Sequence, residues 1–401
     1  EAYALGGQTA AESYLNTDAI LDAIRRSGAD AVHPGYGFFS ENADFARQIT
    51  SEGVAWIGPP PEAIDEMGDK VSSRIAAQRG GAPIVPGTTE FARGPDEIRQ
   101  FGEQHGWPVC IKAAFGGGGR GMKVVQSAAE VDDAFASAQR EAKAFFGRDE
   151  VYVERYLTWP RHVEVQLVGD AHGNVVWVST RDCSAQRRHQ KLIEEAPAPA
   201  LSDEVERAMG EAAVKAAKAV GYQNAGTVEF IYQDGEFFFL EMNTRLQVEH
   251  PVTELITGVD LVQEQIRIAA GEKLSLRQRD VVLRGHAIEC RINAEDPYRF
   301  VPSPGRITGW HPPGGPGIRV DSHVYTGYFV PPHYDSMIGK VLTYGDTRDQ
   351  ALRRMRIALS EMAVEGIQTN LALHRDLMFD ANFVAGGTSI HYLEKKLAGL
   401  Q

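Results

Sequence analysis

The sequence has few cysteines, no excess of positive charge and no long apolar run. Only three of its 401 residues are cysteine, and none has Cys-x-x-Cys or Cys/His spacing, which argues against a disulfide framework and a zinc site. The formal net charge is −13, so we expect no nucleic-acid partner and no acidic membrane surface. No apolar run approaches the ~18 residues of a transmembrane helix. These absences indicate a protein of the reducing cytoplasm.

Length and patterning predict a mixed fold of two or three domains. A chain of 401 residues has room for two or three domains if each has roughly 100–200 residues. Residues 17–57 alternate helical and short strand segments, which is typical of parallel α/β structure. PPPEAIDEMGDK reads as a linker leading into a helix at VSSRIAAQRG. From 161 to about 331 the pattern is mostly strands and hairpins, and helical spacing returns at DQALRRMRIALSEMAV.

A glycine-rich loop lies between two predicted strands in IKAAFGGGGRGMKVV, with Lys112 on the first strand. A dinucleotide-binding loop would open a helix, and a Walker A loop would need Gly-Lys-Ser/Thr, so the segment is neither. Glycines let backbone N–H groups approach phosphate oxygens, and a nearby lysine adds a charge. We therefore predict a hairpin that covers nucleotide phosphates. A flexible surface hairpin is the alternative.

The segment EMNTRLQVEH carries a polar residue at every second position, namely Glu241, Asn243, Arg245, Gln247 and Glu249. Alternate residues of a strand share a face, so one strand would aim all five groups into one site. The preceding run GEFFFL is apolar, which indicates that this strand enters a core. The solvated face of an edge strand is the alternative.

A second carboxylate, Glu229, lies on the preceding predicted strand TVEFIY, across the turn Gln233-Asp234-Gly235. A strict two-residue Asp-Gly turn would place Glu229 and Glu241 on opposite faces, whereas an odd loop or a bulge would place them on one face. In the second case, the two carboxylates predict a magnesium site, because Mg²⁺ takes one or two carboxylates together with nucleotide phosphates.

Three further segments are polar. RDCSAQRRHQK concentrates positive charge and suggests an anion site, with a solvated basic loop as the alternative. PRHVEVQLV predicts a half-buried strand, and HAIECRINAEDP a strand with one polar face. HPGYGFFSEN, residues 33–42, follows a strand end, where α/β folds place ligands.

The segments HPGYGFFSEN, MGDK, IKAAFGGGGRGM, PRHVEVQ, RDCSAQRRHQK, EEAPAP, GTVEF, EMNTRLQVEHPVTE, GHAIECRINAEDP and YDSMIGK occur in this order. Together they resemble the biotin carboxylase component of biotin-dependent carboxylases, within the ATP-grasp superfamily. The resemblance implies an α/β and α+β chain with an ATP-grasp fold. Its parts would be an N-terminal Rossmann-like domain (1–56), a linker (57–84), a mobile lid over ATP (85–155) and a larger C-terminal domain (156–401).

The resemblance also implies roles for individual residues. ATP contacts fall on Lys70, Lys112, Gly117, Gly118, Gly119, Met122, Glu154, Leu157, His162, Gln186 and His189. Magnesium or manganese would be held by Glu229, Glu241 and Asn243. Bicarbonate would be held by Lys191, Arg245, Gln247, the backbone of Val248 and Glu249. In catalysis, Glu249 would be the base and Arg291 would stabilise the biotin enolate, assisted by Arg245 and Lys191.

The implied activity is the carboxylation of biotin by ATP and bicarbonate through carboxyphosphate, the first half-reaction of an acyl-CoA carboxylase, as in fatty acid biosynthesis. The implied partners are a biotin carboxyl carrier protein or domain, a carboxyltransferase and a second copy of the chain, joined through the first and last domains. No biotin-carrying Met-Lys-Met occurs, so we expect the carrier on a separate polypeptide or a deleted domain. The family's first strand–loop–helix precedes Glu1, so we expect an N-terminal sheet with fewer strands.

Two other functions fit parts of the pattern. Another ATP-grasp ligase, joining a carboxylate to an amine through an acyl phosphate, would show a similar glycine loop and carboxylate pair. A regulatory subunit that binds nucleotide without catalysis would keep the loop alone. RRHQK and RLQVEHP favour biotin carboxylase, because they supply the residues of a bicarbonate pocket.

Overall fold

The computed structural model describes residues 1–68, 70–88, 90–113 and 122–399, with backbone only at 70, 71, 145 and 146. The chain forms two compact units, a larger one of Glu1–Pro83 with Arg161–Gln401 and a smaller one of Ile84–Pro160. Among the described residues, no helix is long and apolar enough to cross a membrane.

The helices and strands are numbered in chain order. The helices of the larger unit are α1 (Thr17–Ser27), α2 (Ala43–Ser51), α3 (Pro61–Gly68), α4 (Lys70–Arg79), α7 (Asp203–Ala219), α8 (His250–Thr257), α9 (Leu261–Ala269), α10 (Arg348–Glu361), α11 (Leu371–Leu377), α12 (Ala381–Ala385) and α13 (Tyr392–Ala398). Its strands are β1 (Ala31–Val32), β2 (Ala55–Trp56), β6 (Arg161–Gly169), β7 (Val175–Arg187), β8 (Gln190–Ala196), β9 (Asn224–Gln233), β10 (Glu236–Asn243), β11 (His286–Asn293), β12 (Gly305–Arg306), β13 (Gly309–His311), β14 (Ile318–Ser322), β15 (Phe329–Val330), β16 (Met337–Gly345) and β17 (Ala363–Glu365). The smaller unit contains α5 (Pro95–His105), α6 (Val131–Phe146), β3 (Val109–Ala113), β4 (Met122–Val125) and β5 (Val151–Arg155).

An antiparallel eight-stranded sheet in the order β10-β9-β6-β7-β8-β11-β16-β14 is the centre of the larger unit. Helices α7, α8, α9 and α10 pack against it. Ile193, Ile288 and Val341 of three neighbouring strands share a core with Met355 and Leu359 of α10. The prediction of a half-buried strand at PRHVEVQLV was wrong, because β6 lies inside this sheet and is buried at every position.

The N-terminal segment follows the predicted alternation α1, β1, α2, β2, and its two strands pair in parallel. Residues 61–68, in the segment read as a linker, form the helix α3. Its Ala63, Ile64 and Met67 share a buried face, and Pro61 opens the helix at a position that needs no backbone donor.

Residues 161–331 also contain helices, which the prediction of mostly strands did not include. The longest is α7, which is rich in alanine and therefore favours helix. Ser202 caps it by accepting a hydrogen bond from the Val205 N–H, and Met209, Ala213 and Ala217 recur at four-residue spacing on its buried face. Helices α8 and α9 follow in the same range.

The smaller unit is a three-stranded antiparallel sheet, β4-β3-β5, with α5 and α6 packed on it. The two strands predicted around the glycine loop are present, and Lys112 on β3 pairs in register with Met122 on β4. The loop itself, including Gly117, Gly118 and Gly119, lies outside the described residues, as does the side chain of Lys70.

Candidate active site

The carboxylates of Glu229 and Glu241 lie on one face because of a bulge. Strands β9 and β10 are joined by the two-residue turn Asp234-Gly235, which alone would put them on opposite faces. The register shifts between Phe239 and Glu241, so Leu240 is the extra residue and Glu241 pairs directly with Glu229. Of the two arrangements that the sequence left open, the structure therefore has the one with a bulge.

The prediction of one continuous strand through Glu249 was wrong. Strand β10 ends at Asn243, and the next residues form a loop that leads into α8. The Thr244 N–H donates to Glu41 Oε1 at 3.0 Å instead of to a neighbouring strand. Pro251 at the start of α8 also favours a helix start over a strand.

Lys191 on β8 is the centre of a buried ionic cluster. Its Nζ lies 2.7 Å from Glu164 Oε2, 2.8 Å from Glu229 Oε1 and 2.7 Å from Glu249 Oε1. Burial lowers the pKa of Lys191, but the three carboxylates outweigh burial and hold that pKa well above its usual value. Lys191 is therefore a fixed cation.

Glu249 is fully buried at the residue that precedes α8. Besides Lys191, its carboxylate contacts Arg291, with Nη2 2.9 Å from Oε2. Burial alone would raise the pKa of Glu249, but the charges of Lys191, Arg291 and Arg181 hold it well below its usual value. Glu249 is therefore ionised and can accept a proton.

Arg291 lies on β11 between two carboxylates. Its Nε donates to Glu194 Oε1 at 2.6 Å, while Nη2 donates to Glu249. Its backbone is also fixed, because its carbonyl oxygen accepts hydrogen bonds from Asn370 Nδ2 at 2.9 Å and lies 2.7 Å from His374 Nε2. Hydrogen bonds therefore fix both the side chain and the backbone of Arg291.

Arg245 joins the loop after β10 to the N-terminal segment. Its Nε donates to Glu41 Oε2 at 2.9 Å, and Nη2 and Nη1 donate to Asn243 Oδ1 and Gln247 Oε1 at 3.1 Å each. Gln247 also donates from Nε2 to Glu229 Oε1 at 3.2 Å. Three of the five polar residues predicted on one strand, Asn243, Arg245 and Gln247, are therefore joined by hydrogen bonds at the end of β10 and in the loop that follows it.

The basic segment 181–191 is not a solvated loop. It forms the end of β7 and the start of β8, and only its turn and the adjoining Gln190 are exposed. Arg181 is fully buried, forms an ion pair with Glu164, and donates to Gln166 Oε1 at 2.7 Å. Its positive charge therefore pairs with a carboxylate of the buried ionic cluster.

His162 on β6 contacts the predicted metal ligand Glu229, with Nε2 2.9 Å from Oε2. Burial lowers the pKa of His162, but the charge of Glu229 outweighs burial and raises it. Asn243 Nδ2 donates to the other oxygen of Glu229 at 2.9 Å. Both oxygens of Glu229 thus have protein partners in this arrangement.

The remaining residues predicted to contact ATP are placed as follows. In the smaller unit, Lys112 Nζ lies 2.5 Å from Glu154 Oε2, Leu157 is buried and Met122 is exposed. In the larger unit, Gln186 Nε2 donates to the Cys183 carbonyl at 3.1 Å, and His189 is exposed on the β7–β8 turn.

Sequence reasoning missed several residues that complete the site. They are Glu41, Glu164, Arg181, Glu194 and Lys340, whose Nζ donates to the Val248 carbonyl at 2.6 Å. All five lie in segments that the sequence analysis singled out as polar or as similar to the biotin carboxylase family. Membership of those segments was the one sign in the sequence that they belong to the site.

Comparison with known proteins decides the family. Residues 1–64 match the family model "Biotin carboxylase, N-terminal domain", and 289–395 match "Biotin carboxylase C-terminal domain". Residues 69–277 match "Carbamoyl-phosphate synthase L chain, ATP binding domain". The biotin carboxylase of Haemophilus influenzae is 55% identical over 398 residues, which cover 99% of this chain and 89% of that protein.

The chain belongs to the biotin carboxylase family.

Other relatives agree with this assignment. The biotin carboxylase of Pseudomonas aeruginosa is 54% identical over 398 residues, which cover 99% of this chain and 89% of that protein. The crystal structure of a biotin carboxylase complex from Campylobacter jejuni has a TM-score of 0.85 at 45% identity, covering 96% of this chain and 86% of that one. The biotin carboxylase component of a pyruvate carboxylase gives 0.90 at 44% identity, over 99% and 88%. The predicted ATP-grasp fold is confirmed, and the chain is an enzyme of the biotin carboxylase family.

Proposed function

We propose that this enzyme uses ATP and bicarbonate to carboxylate biotin through carboxyphosphate, as the first half-reaction of an acyl-CoA carboxylase. The observation that carries the proposal is the position of Glu249, a buried and ionised carboxylate between Lys191 and Arg291. Such a cluster can remove a proton from one small anion and stabilise the charge of another. The structure of a related domain from Hydrogenobacter thermophilus is described as a complex with MgADP and bicarbonate.

In the first step, a bicarbonate oxygen attacks the γ-phosphorus of ATP, and the bond from that phosphorus to the oxygen of ADP breaks. Lys191, Arg245, Gln247 and the backbone of Val248 would hold bicarbonate in place. The bicarbonate proton would pass to Glu249. This step needs positioning and charge neutralisation more than covalent assistance, which suits a site of fixed cations.

The basicity of Glu249 depends on what its neighbours hold. With Lys191 and Arg291 both paired to it, the pKa of Glu249 is well below its usual value, so it is a weak base. Bicarbonate that binds Lys191 would share that positive charge. A nearby positive charge lowers the pKa of a carboxyl group, so Lys191 would lower the pKa of Glu249 less once bicarbonate shares its charge. Glu249 would therefore be a stronger base when bicarbonate is bound.

Magnesium or manganese would be held by Glu229, Glu241 and Asn243. The donor set fits a hard cation, since it consists of two carboxylates and one amide oxygen, and the two carboxylates share a face. When bound, the ion would neutralise charge on the ATP phosphates. Glu241 is exposed, yet the surrounding protein and the charge of Glu229 raise its pKa, which favours its pairing with a cation.

Contacts to ATP are assigned to residues of each unit. In the smaller unit these are Lys112, Gly117, Gly118, Gly119, Met122, Glu154 and Leu157. In the larger unit they are Lys70, His162, Gln186 and His189. The charge of Glu154 outweighs the effect of burial on Lys112 and raises its pKa, so this lysine is a permanent cation suited to a phosphate.

In the second step, carboxyphosphate separates into CO₂ and phosphate. The phosphate would take the proton from the ureido nitrogen of biotin, and the resulting enolate-like anion would attack CO₂ to form carboxybiotin. Arg291 would stabilise that anion, since a guanidinium supplies positive charge without losing its own proton. Its contact with Glu249, the proposed base of the first step, supports this role.

The proposal includes partners. Biotin would arrive on a biotin carboxyl carrier protein or domain, and a carboxyltransferase would use the product. We expect a homodimer in the cytoplasm, and the Hydrogenobacter thermophilus structure named above is described as a dimer.

Oxygen transfer from bicarbonate tests the proposal directly. Purified protein is supplied with ATP, Mg²⁺, free biotin and ¹⁸O-labelled bicarbonate. We expect one ¹⁸O atom in the released phosphate, and ¹⁴C-labelled bicarbonate in a parallel assay should label biotin. ADP release that needs no bicarbonate, or that responds to an amine acceptor instead of biotin, would contradict the proposal and favour another ATP-grasp ligase.

A further inference from the structure

Behind Arg291 lie two carboxyl groups, Glu194 and Glu289, that the proposed mechanism does not use. They are direct cross-strand partners on β8 and β11, so their side chains are on the same face of the sheet. Both residues have no exposed surface. Glu194 uses Oε1 to accept from Arg291. Among the described residues, Glu194 Oε2 and both oxygens of Glu289 have no hydrogen-bond partner.

Two ionised carboxylates cannot be stable in this arrangement. Like charges directly opposite each other in a sheet repel, and a buried oxygen without a partner is costly. One proton removes the charge repulsion and can give two of the three described oxygens a partner, leaving the carbonyl oxygen of Glu289 without one. A neutral carboxylic acid has an O–H that can donate to a carboxylate, and the free acceptor, Glu194 Oε2, belongs to the paired residue.

We propose that Glu289 is a positioning residue that remains a neutral carboxylic acid and donates its O–H to Glu194 Oε2. Glu194 is thereby held with its other oxygen on Arg291 Nε. The inference rests on the proposed function, because it assumes that Arg291 acts on the biotin anion.

The charged groups facing Glu289 agree with a neutral state. Burial raises the pKa of Glu289 well above its usual value, Lys340 and Arg291 oppose the rise, and Glu194 and Glu249 add to it. Lys340 is a cross-strand neighbour of Arg291, but its Nζ donates to the Val248 carbonyl at 2.6 Å. Within the described part of the chain, no cation forms an ion pair with Glu289.

A neutral Glu289 also leaves Arg291 with charge to offer. Arg291 already contacts two carboxylates, Glu249 and Glu194. Burial raises the pKa of Glu194 above its usual value against the opposing charge of Arg291, and Glu249 adds to the rise. A third negative charge at Glu289 would weaken the stabilisation of an incoming anion.

Two variants of one residue separate a neutral donor from an ionised group. Glu289→Gln is neutral, has nearly the same shape and donates from its amide, so it should keep biotin carboxylation within about twofold of wild type. Glu289→Leu has no donor and leaves Glu194 Oε2 unsatisfied, so kcat with biotin should fall about tenfold or more. ATPase activity without biotin, and the KM for ATP, should stay within about twofold in both. Glu206→Gln, a partly buried carboxyl group that bonds Thr180, is the control.

An infrared difference spectrum of wild type against Glu289→Gln measures the protonation state without any assay. At pH 8 we expect the carbonyl band of a protonated carboxylic acid in wild type and its loss in the variant. No such band, or a Gln variant as impaired as the Leu variant, would overturn the proposal, as would wild-type kinetics in Glu289→Leu. Wild-type protein that carboxylates no biotin would instead contradict the proposed function, and the infrared band would then decide whether Glu289 is neutral.

Discussion

Arg291 Nη2 lies 2.9 Å from Glu249 Oε2, although one residue is on β11 and the other precedes α8. The contact joins the group proposed to stabilise the biotin anion to the proposed base of the first step. Anything that engages Arg291 therefore changes the electrostatic environment of Glu249. When the biotin anion binds Arg291, the guanidinium should lower the pKa of Glu249 less, which makes Glu249 a stronger base. The two steps of the reaction are therefore coupled.

Arg291→Ala should separate the two steps. We expect biotin carboxylation to fall by roughly 10²–10³, since the variant loses a charge that stabilises an anion. Biotin-independent ATPase should continue. Loss of the guanidinium removes one cause of the low pKa of Glu249, so the acid limb of the ATPase pH profile should move to higher pH. Equal losses of both activities, with an unmoved profile, would contradict this. Arg279→Ala, at an exposed arginine, is the control.

Glu241→Gln should weaken metal binding. We expect the Mn²⁺ concentration for half-maximal ATPase to rise about tenfold or more, because a carboxylate ligand is replaced by a neutral one. Protons compete with the metal at Glu241 because its pKa is raised, so the metal requirement of wild type should grow as pH falls and that of the variant should grow less. Glu236→Gln, at the exposed start of the same strand, is the matched control, and identical metal titrations of both variants would exclude Glu241 as a ligand.

Lys340→Met should loosen the backbone that holds bicarbonate. The charged hydrogen bond from Lys340 Nζ to the Val248 carbonyl fixes the peptide that leads into Glu249. Such bonds contribute about 1.5–3 kcal/mol, so we expect the KM for bicarbonate to rise about tenfold or more. The KM for ATP should stay nearly unchanged. Lys273→Met, at an exposed lysine, controls for the loss of charge, and an unchanged KM for bicarbonate in Lys340→Met would refute the role.

His374 should make the fold sensitive to acid. Burial lowers its pKa to about 4, so the folded protein resists protonation there while the unfolded chain does not. Its stabilising effect is therefore present above about pH 6.5 and is lost as pH falls towards 4, by roughly 3 kcal/mol in all.

Urea unfolding at pH 7 and at pH 4.5 measures this effect. We expect His374→Gln to be less stable than wild type at pH 7 but to lose less stability between the two pH values. His311→Gln, at an exposed histidine, should behave as wild type does. A pH dependence in His374→Gln as steep as that of wild type would show that another group is responsible.

Local patterns predicted the flanks of the site better than its centre. The hairpin of β9 and β10 left two registers open, and the bulge at Leu240 selected the one that pairs Glu229 with Glu241. The continuous strand through Glu249 failed because alternation of polar residues is also compatible with a loop. The deciding bond, from the Thr244 N–H to Glu41, joins residues 203 positions apart.

The buried ionic cluster was not predictable from spacing alone. A charged residue in a strand normally indicates an exposed face, yet Glu164, Arg181 and Glu194 are fully buried. They are tolerated because each has a partner of opposite charge on another strand. Strands β8 and β11 are adjacent in the sheet but far apart in sequence, so Glu194 and Arg291 are separated by 97 positions.

The central claim is that Glu249 takes the proton from bicarbonate, and Glu249→Gln tests it most directly. The variant keeps the shape of the side chain but removes its basicity. We expect bicarbonate-dependent ATPase to fall by roughly 10²–10⁴, with ATP affinity, measured by direct binding, within about twofold of wild type. Bicarbonate-dependent ATP hydrolysis at the wild-type rate in Glu249→Gln would contradict the account.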